Sequence, residues 1–139
     1  MSGISFGRIG LAGLVLLHLG LLIWALMGLS EWIFGAVPWP AVANPLFPRP
    51  MLFFHWLSVI AASTAFLTGL ALRWPGTPLA VALGYGGMAA VCLVETTQYL
   101  VHDMRWFAMA AEYAAYLIIG SWLFLSATAR SAFRRRGEI

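Results

Sequence analysis

The chain contains no lysine and little charge of either sign, with eight arginines, five acidic residues and three histidines. Charged residues make up 9% of it, against roughly 25% in an ordinary soluble domain. That shortfall excludes a conventional water-facing surface and leaves lipid as the natural solvent. Cysteine is nearly absent too. Cys92 is alone inside an apolar run, so neither an internal disulfide nor a metal-type cysteine spacing can be built, and the residue reads as packing. Glycine-rich phosphate loops, a Ser–His–Asp order and the HExxH and HxxxH spacings are also missing. The net charge of +3 is no nucleic-acid signal, because "RSAFRRR" at 130–136 supplies half of the basic residues.

What remains is apolar. Hydrophobic residues form 62% of the sequence, and the mean hydropathy is +0.87. A length of 139 residues suits one domain. Four runs are long enough for helices that cross a bilayer core, which takes roughly 20 residues. They cover about 9–29, 51–72, 78–101 and 106–127. The first is too long in its apolar core for a signal peptide, and no small-x-small cleavage site follows it. The expected fold is all-α, a single transmembrane domain over 1–139. It is an antiparallel bundle of four transmembrane helices with an outer surface loop at 30–50 and a basic tail at 128–139.

Orientation follows from arginine placement. Arg8, Arg73, Arg130, Arg134, Arg135 and Arg136 fall on one side, and Arg49 and Arg105 on the other. This bias places both termini in the cytoplasm, in a multi-pass protein of the cell (inner) membrane. Trp32, Trp39, Trp56 and Trp106 then lie at the outer boundary, where indole rings favour the headgroup region. The Pro-rich, aromatic loop is expected to lie along that surface and partly cap the bundle. Small residues recur every fourth position at Ala61, Ala65 and Gly69, and again at Ala82, Gly86 and Ala90, which predicts close helix packing there.

One stretch does not fit a plain span. "ETTQYLVHDMRWFAMAAEY", residues 95–113, concentrates acids, amide, histidine and arginine between apolar runs. Glu95, Gln98, Tyr99 and His102 are spaced i, i+3, i+4, i+7, one face of a continuous α-helix. Arg105, Glu112 and Tyr116 share an approximate face of the next. Glu95 and Glu112 each stand six residues from a short turn, so at 1.5 Å per residue both lie roughly 9 Å deep. His55 enters at similar depth, and His55 and Glu112 each precede an arginine by eighteen residues, a faint internal echo. Two carboxyls in one apolar pocket cannot both ionise cheaply, so one proton is expected to be shared or exchanged between them.

That chemistry makes Glu95 and Glu112 the expected acid/base pair, with His55, Gln98, Tyr99, His102, Arg105 and Tyr116 as binding residues. The ligand expected is amphipathic and lipid-like: a quinone, an isoprenoid or another lipid. Two other readings share the composition, an accessory subunit of a larger membrane complex and, less strongly, proton-coupled transport. No metal site is expected, since any ligands would have to converge from different helices. His18 sits mid-span without a second histidine at matching depth, so no tetrapyrrole is assigned and the cofactor stays unknown. In the plain packing alternative, Glu112 pairs with His55, and Glu95 is a neutral acid bonded to Gln98.

Overall fold

A computed structural model describes residues 6–35 and 48–134. Its elements are α1 (Phe6–Phe34), α2 (Arg49–Ala71), α3 (Thr77–Val94), a π-helical turn (Glu95–Tyr99), α4 (Arg105–Leu125) and a short α5 (Ala127–Ala132). No strand occurs among the described residues. Four helical segments, with α3 and the π turn counted together, have 29, 23, 23 and 21 residues and mean hydropathies of 1.4 to 2.3. By length and composition each can cross a membrane, which makes this a multi-pass architecture.

The helix ends follow local chemistry. No proline interrupts α1, which extends past the expected 9–29 in both directions and stops at Gly35. There the backbone turns left-handed (φ 65°) and the Gly35 N–H donates to the Glu31 carbonyl at 2.8 Å. Pro50 sits in the first turn of α2, where its missing N–H costs nothing. α2 ends through Arg73, which takes a left-handed backbone (φ 50°) so that the Trp74 N–H can reach the Gly69 carbonyl at 2.9 Å. The expected loop at 30–50 is thus partly helical at both ends. Its bases are tied: the Trp32 indole donates to the Arg49 carbonyl at 2.7 Å, and the Arg49 guanidinium donates to the Trp32 carbonyl at 2.8 Å. Residues 36–47, with Trp39, lie outside the described residues, and so does the expectation that they cap the bundle.

α2 is the central helix, packed along α1 on one side and α3 on the other, whereas α4 meets mainly α3. The close approaches are made by glycines facing bulkier partners. Gly28 lies under the Trp56 ring, Gly69 under Thr77, and Gly84 against the backbone of Ala62. The small-residue faces read from sequence are therefore corrected. Ala61, Gly86 and Ala90 are exposed, whereas Gly69 is at a close contact as expected and Ala65 packs against the core; the α2 contact face runs through Ala62, Phe66 and Gly69. Trp56 is likewise not a surface anchor, being 4% exposed in the core beside Ala25 and Val59.

The first part of the segment expected as a basic tail is helical and packed. Ser126 breaks α4 with an extended backbone (ψ 129°) and its hydroxyl accepts the Ala129 N–H, starting α5. Ala129 and Phe133 are buried, Thr128 lies against Gly7 of α1, and Phe133 meets Phe66 edge-on at 6.4 Å. Residues 135–139 lie outside the described residues. Elsewhere the exterior is strongly apolar, with Leu16, Leu83, Phe107, Leu117, Ile118 and Leu125 all exposed. A surface of this kind is normal in lipid and untenable in water.

The packing sets a paired test. A Cβ on Gly84 would stand 2.8 Å from the Ala62 Cα, while one on Gly86 meets nothing within 4 Å. Thermal unfolding in detergent should show Gly84→Ala destabilised by about 1–3 kcal/mol through backbone displacement. Gly86→Ala should be neutral or gain up to about 1 kcal/mol from helix propensity. Equal responses would contradict the α2–α3 interface described here.

Candidate functional site

α3 presents one side-chain stripe to the interior. Tyr85, Met88, Cys92 and Glu95 recur at i, i+3, i+7 and i+10, and all four border a cavity of about 260 Å³. α4 contributes Glu112, Tyr116 and Ile119 at i, i+4 and i+7. α2 adds His55 and Ser58, and α1 closes the remaining side with Leu17, Leu21 and Trp24. The walls are overwhelmingly aliphatic and aromatic, so the few polar groups stand out electrostatically.

Those polar groups form two clusters. In the first, His55 Nδ1 lies 2.8 Å from Glu95 Oε1, joining α2 to the π turn. Glu95 is 7% exposed, deep in the packing. With Glu95 ionised, Nδ1–H donates, which fixes the imidazole tautomer and leaves Nε2 free of any hydrogen bond to the described residues. Trp24 and Trp56 meet the His55 ring edge-on at 5.7 and 4.6 Å and hold its plane. In the second cluster Glu112 accepts twice. The Tyr116 hydroxyl donates to Oε1, and the Cys92 thiol donates to Oε2 at 3.2 Å. Each carboxyl thus has its own partners, and both face the same cavity.

A third polar pair lies beneath. His18 is fully buried, its Nδ1–H donating to the Leu14 carbonyl at 2.8 Å and its ring stacked on Phe66 at 4.2 Å. Since a carbonyl can only accept, the neutral ring leaves Nε2 to accept from the Tyr85 hydroxyl at 2.9 Å. Both ring nitrogens are thereby committed within the protein. Tyr85 in turn stacks on Tyr116 at 4.8 Å, linking this pair to the floor of the cavity.

The lining is unevenly covered. On α2, α3 and the π turn Val59, Tyr85, Met88 and Glu95 are buried, and His55, Ser58, Val91 and Cys92 are half-buried. On the opposite side Leu17 and Trp24 of α1 are 42% and 41% exposed, and Ala115 of α4 is exposed as well. α1 and α4 approach each other lower down, where the Trp122 ring lies against Gly10. Among the cavity's lining residues the exposed ones, Leu17, Trp24 and Ala115, all belong to α1 and α4.

Several expected site residues lie elsewhere. Gln98 is exposed and makes only a 3.4 Å contact to Thr97 Oγ1, and His102 is exposed in the turn after the helix. Tyr99 is half-buried but does not line the cavity. The physical reason is the π turn. Its wider winding from Glu95 to Tyr99, closed by Leu100 N–H to the Glu95 carbonyl at 2.9 Å, abolishes the α-helical i+3 and i+7 register. Leu100 is then extended, so His102 belongs to no helix. Arg105 also departs from Glu112; its guanidinium donates to the Leu100 carbonyl at 2.5 Å and sits over the Trp106 ring. The packing alternative is corrected as well, because His55 pairs with Glu95 and Glu112 pairs with Tyr116. Among the described residues no three His, Cys, Asp or Glu side chains are grouped to hold a metal ion.

Sequence reasoning missed Cys92 and Tyr85. The signal was available: both lie on the face of Glu95, counted back along the helix rather than forward into the turn. No protein-family model matches the chain, and no curated protein or solved structure matches it either.

The partnering can be measured by double-mutant cycles on unfolding in detergent. His55→Ala and Glu95→Ala should couple by about 1–3 kcal/mol, as directly bonded groups do. Glu95→Ala with His102→Ala should be additive to within about 0.5 kcal/mol. Coupling of Glu95 to His102 as strong as to His55 would contradict the π-turn geometry.

Proposed function

We propose that the protein is an antiparallel four-helix bundle of the cell (inner) membrane, both termini cytoplasmic. In this reading it binds an amphipathic, lipid-like molecule in the cavity and handles it by acid/base chemistry. The observation that carries the proposal is one cavity with apolar walls, two separately held carboxyls and exposed lining residues on α1 and α4, which we read as a lateral gap between those helices. Pockets that bury a whole small ligand run to roughly 300–1,000 Å³. A space of about 260 Å³ suits a ring or headgroup while an apolar tail leaves through the α1–α4 gap into lipid. Water-soluble substrates would gain little from such walls. Lipid-soluble ones arrive already concentrated in the surrounding phase.

In this mechanism His55 and Glu112 are the groups that touch the ligand. Glu95 works through His55, orienting the ring and stabilising the imidazolium that forms when Nε2 takes a proton, as a carboxylate behind a histidine does. Tyr116 and Cys92 hold Glu112 at one angle and offset the cost of a carboxylate in an apolar setting. Sequence reasoning placed Glu95 and Glu112 as the acid/base pair with His55 auxiliary. The proposal exchanges the roles of His55 and Glu95.

A second reading, an accessory subunit of a larger membrane complex, draws on α4. Leu123 is its one buried residue, and its outward face carries Phe107, Leu117, Ile118 and Phe124. Such a face suits a partner helix as well as lipid. Native mass spectrometry after extraction in mild detergent separates the two readings. The proposal expects a 15.2 kDa protein carrying a small lipid-like adduct. The adduct should be lost in Ala115→Trp, which fills the gap from an exposed position. Co-purified larger subunits and no adduct would favour the accessory role.

A further inference from the structure

The hydrogen-bond inventory of the cavity narrows what its ligand can be; this step rests on the ligand-binding reading above. Among the described residues four hydroxyl or thiol groups line the walls: Ser58, Tyr85, Cys92 and Tyr116. All four are already donating. Ser58 donates to the His55 carbonyl at 2.8 Å, Tyr85 to His18 Nε2, and Cys92 and Tyr116 to Glu112. The Tyr85 assignment is forced by the Leu14 carbonyl on the other side of His18, which can only accept. Among the described residues the remaining side-chain donor on the walls is the indole N–H of Trp24, a side chain that is 41% exposed.

The acceptors, by contrast, are not exhausted. A carboxylate offers about four lone-pair sites, of which Glu112 uses two. His55 Nε2 is bare when Nδ1–H donates to Glu95. Among the described residues no arginine lines the cavity. The interior is therefore rich in acceptors and poor in donors. A ligand whose polar atoms only accept, such as a quinone, ketone or ether, would lose its water hydrogen bonds and find at most the Trp24 N–H in replacement. A buried polar group left unpaired costs far more than a made bond returns, so this mismatch discriminates strongly.

We infer that the ligand carries a hydrogen-bond donor head, a hydroxyl or a protonated amine, on an apolar body. The head donates to Glu112 and, where it has a second donor, to His55 Nε2. Hydroquinones, polyprenols and lipophilic amines fit this chemistry; their oxidised or capped counterparts do not.

Four probes with one decyl chain test it: decyl hydroquinone kept reduced with ascorbate, its dimethyl ether, decyl benzoquinone and decylamine. Binding is read by native mass spectrometry or tryptophan quenching in detergent. The hydroquinone, the amine or both should bind at least about 10-fold more tightly than the ether and the quinone, and which of the two binds identifies the head. Glu112→Gln should reduce that preference to within about threefold, because the amide adds donors. Tyr116→Phe, which frees a lone pair on Glu112, should tighten donor-headed binding. Nitrogen-15 NMR of the wild-type protein should show His55 Nε2 unprotonated. Equal binding of all four probes, or a proton on Nε2, would overturn the donor inference and leave the ligand-binding reading standing. Binding of none would overturn both.

Discussion

A carboxyl group among aliphatic side chains must find partners or give up its charge, and the arrangement of these helices depends on how two such groups are satisfied. Burying an unpaired carboxylate costs several kcal/mol, and removing one partner of a buried pair about 3–5 kcal/mol. Glu95 meets the demand across helices, through His55. Glu112 meets it with Tyr116 one turn along its own helix and Cys92 of α3. These bonds tie α2 to the π turn and α3 to α4 on either side of a cavity that aliphatic packing leaves partly open.

The π turn is the local device that makes this possible. A straight α-helix through 95–102 would carry Gln98 and His102 on the face of Glu95 and crowd that face with polar groups. Widening the turn rotates them outward and lets the chain leave the helix at Leu100, where the Arg105 guanidinium takes up the freed carbonyl. From this segment the interior keeps one acid, Glu95, with His55 of α2 as its partner. Below it, His18 and Tyr85 form a closed polar pair whose bonds are satisfied internally, a contrast with the His55 nitrogen left open toward the cavity.

The fold was largely legible from residue order. Four apolar runs, the first three separated by proline- and glycine-bearing segments and the last two by the polar turn at His102 and Asp103, yield four long helices, and their ends moved only by a few residues, as Gly35 and Pro50 dictate at the first connection. The details of packing were less legible. Repeats such as Ala82, Gly86 and Ala90 show where a close approach is possible, but only the partner helix decides that Gly84 is the position used. Half of the site was legible too. That Glu95, Glu112 and His55 line one cavity agrees with counting rise per residue, which a single π turn alters little, whereas it alters helical phase much more. Gln98 and His102 depended on helical phase, which one π turn is enough to change. Cys92 was legible in position but not in role, because a thiol reads as packing until a carboxylate is seen beside it.

The central claim is that Glu112 is reached from lipid through the gap between α1 and α4, and is not reached from water. Carboxyl modification by carbodiimides measures this directly. In membranes, an apolar carbodiimide should modify Glu112, located by peptide mass spectrometry, and decyl hydroquinone should protect it. A water-soluble carbodiimide should leave Glu112 unmodified. Equal modification by both reagents, or modification that a donor-headed probe does not slow, would contradict the account.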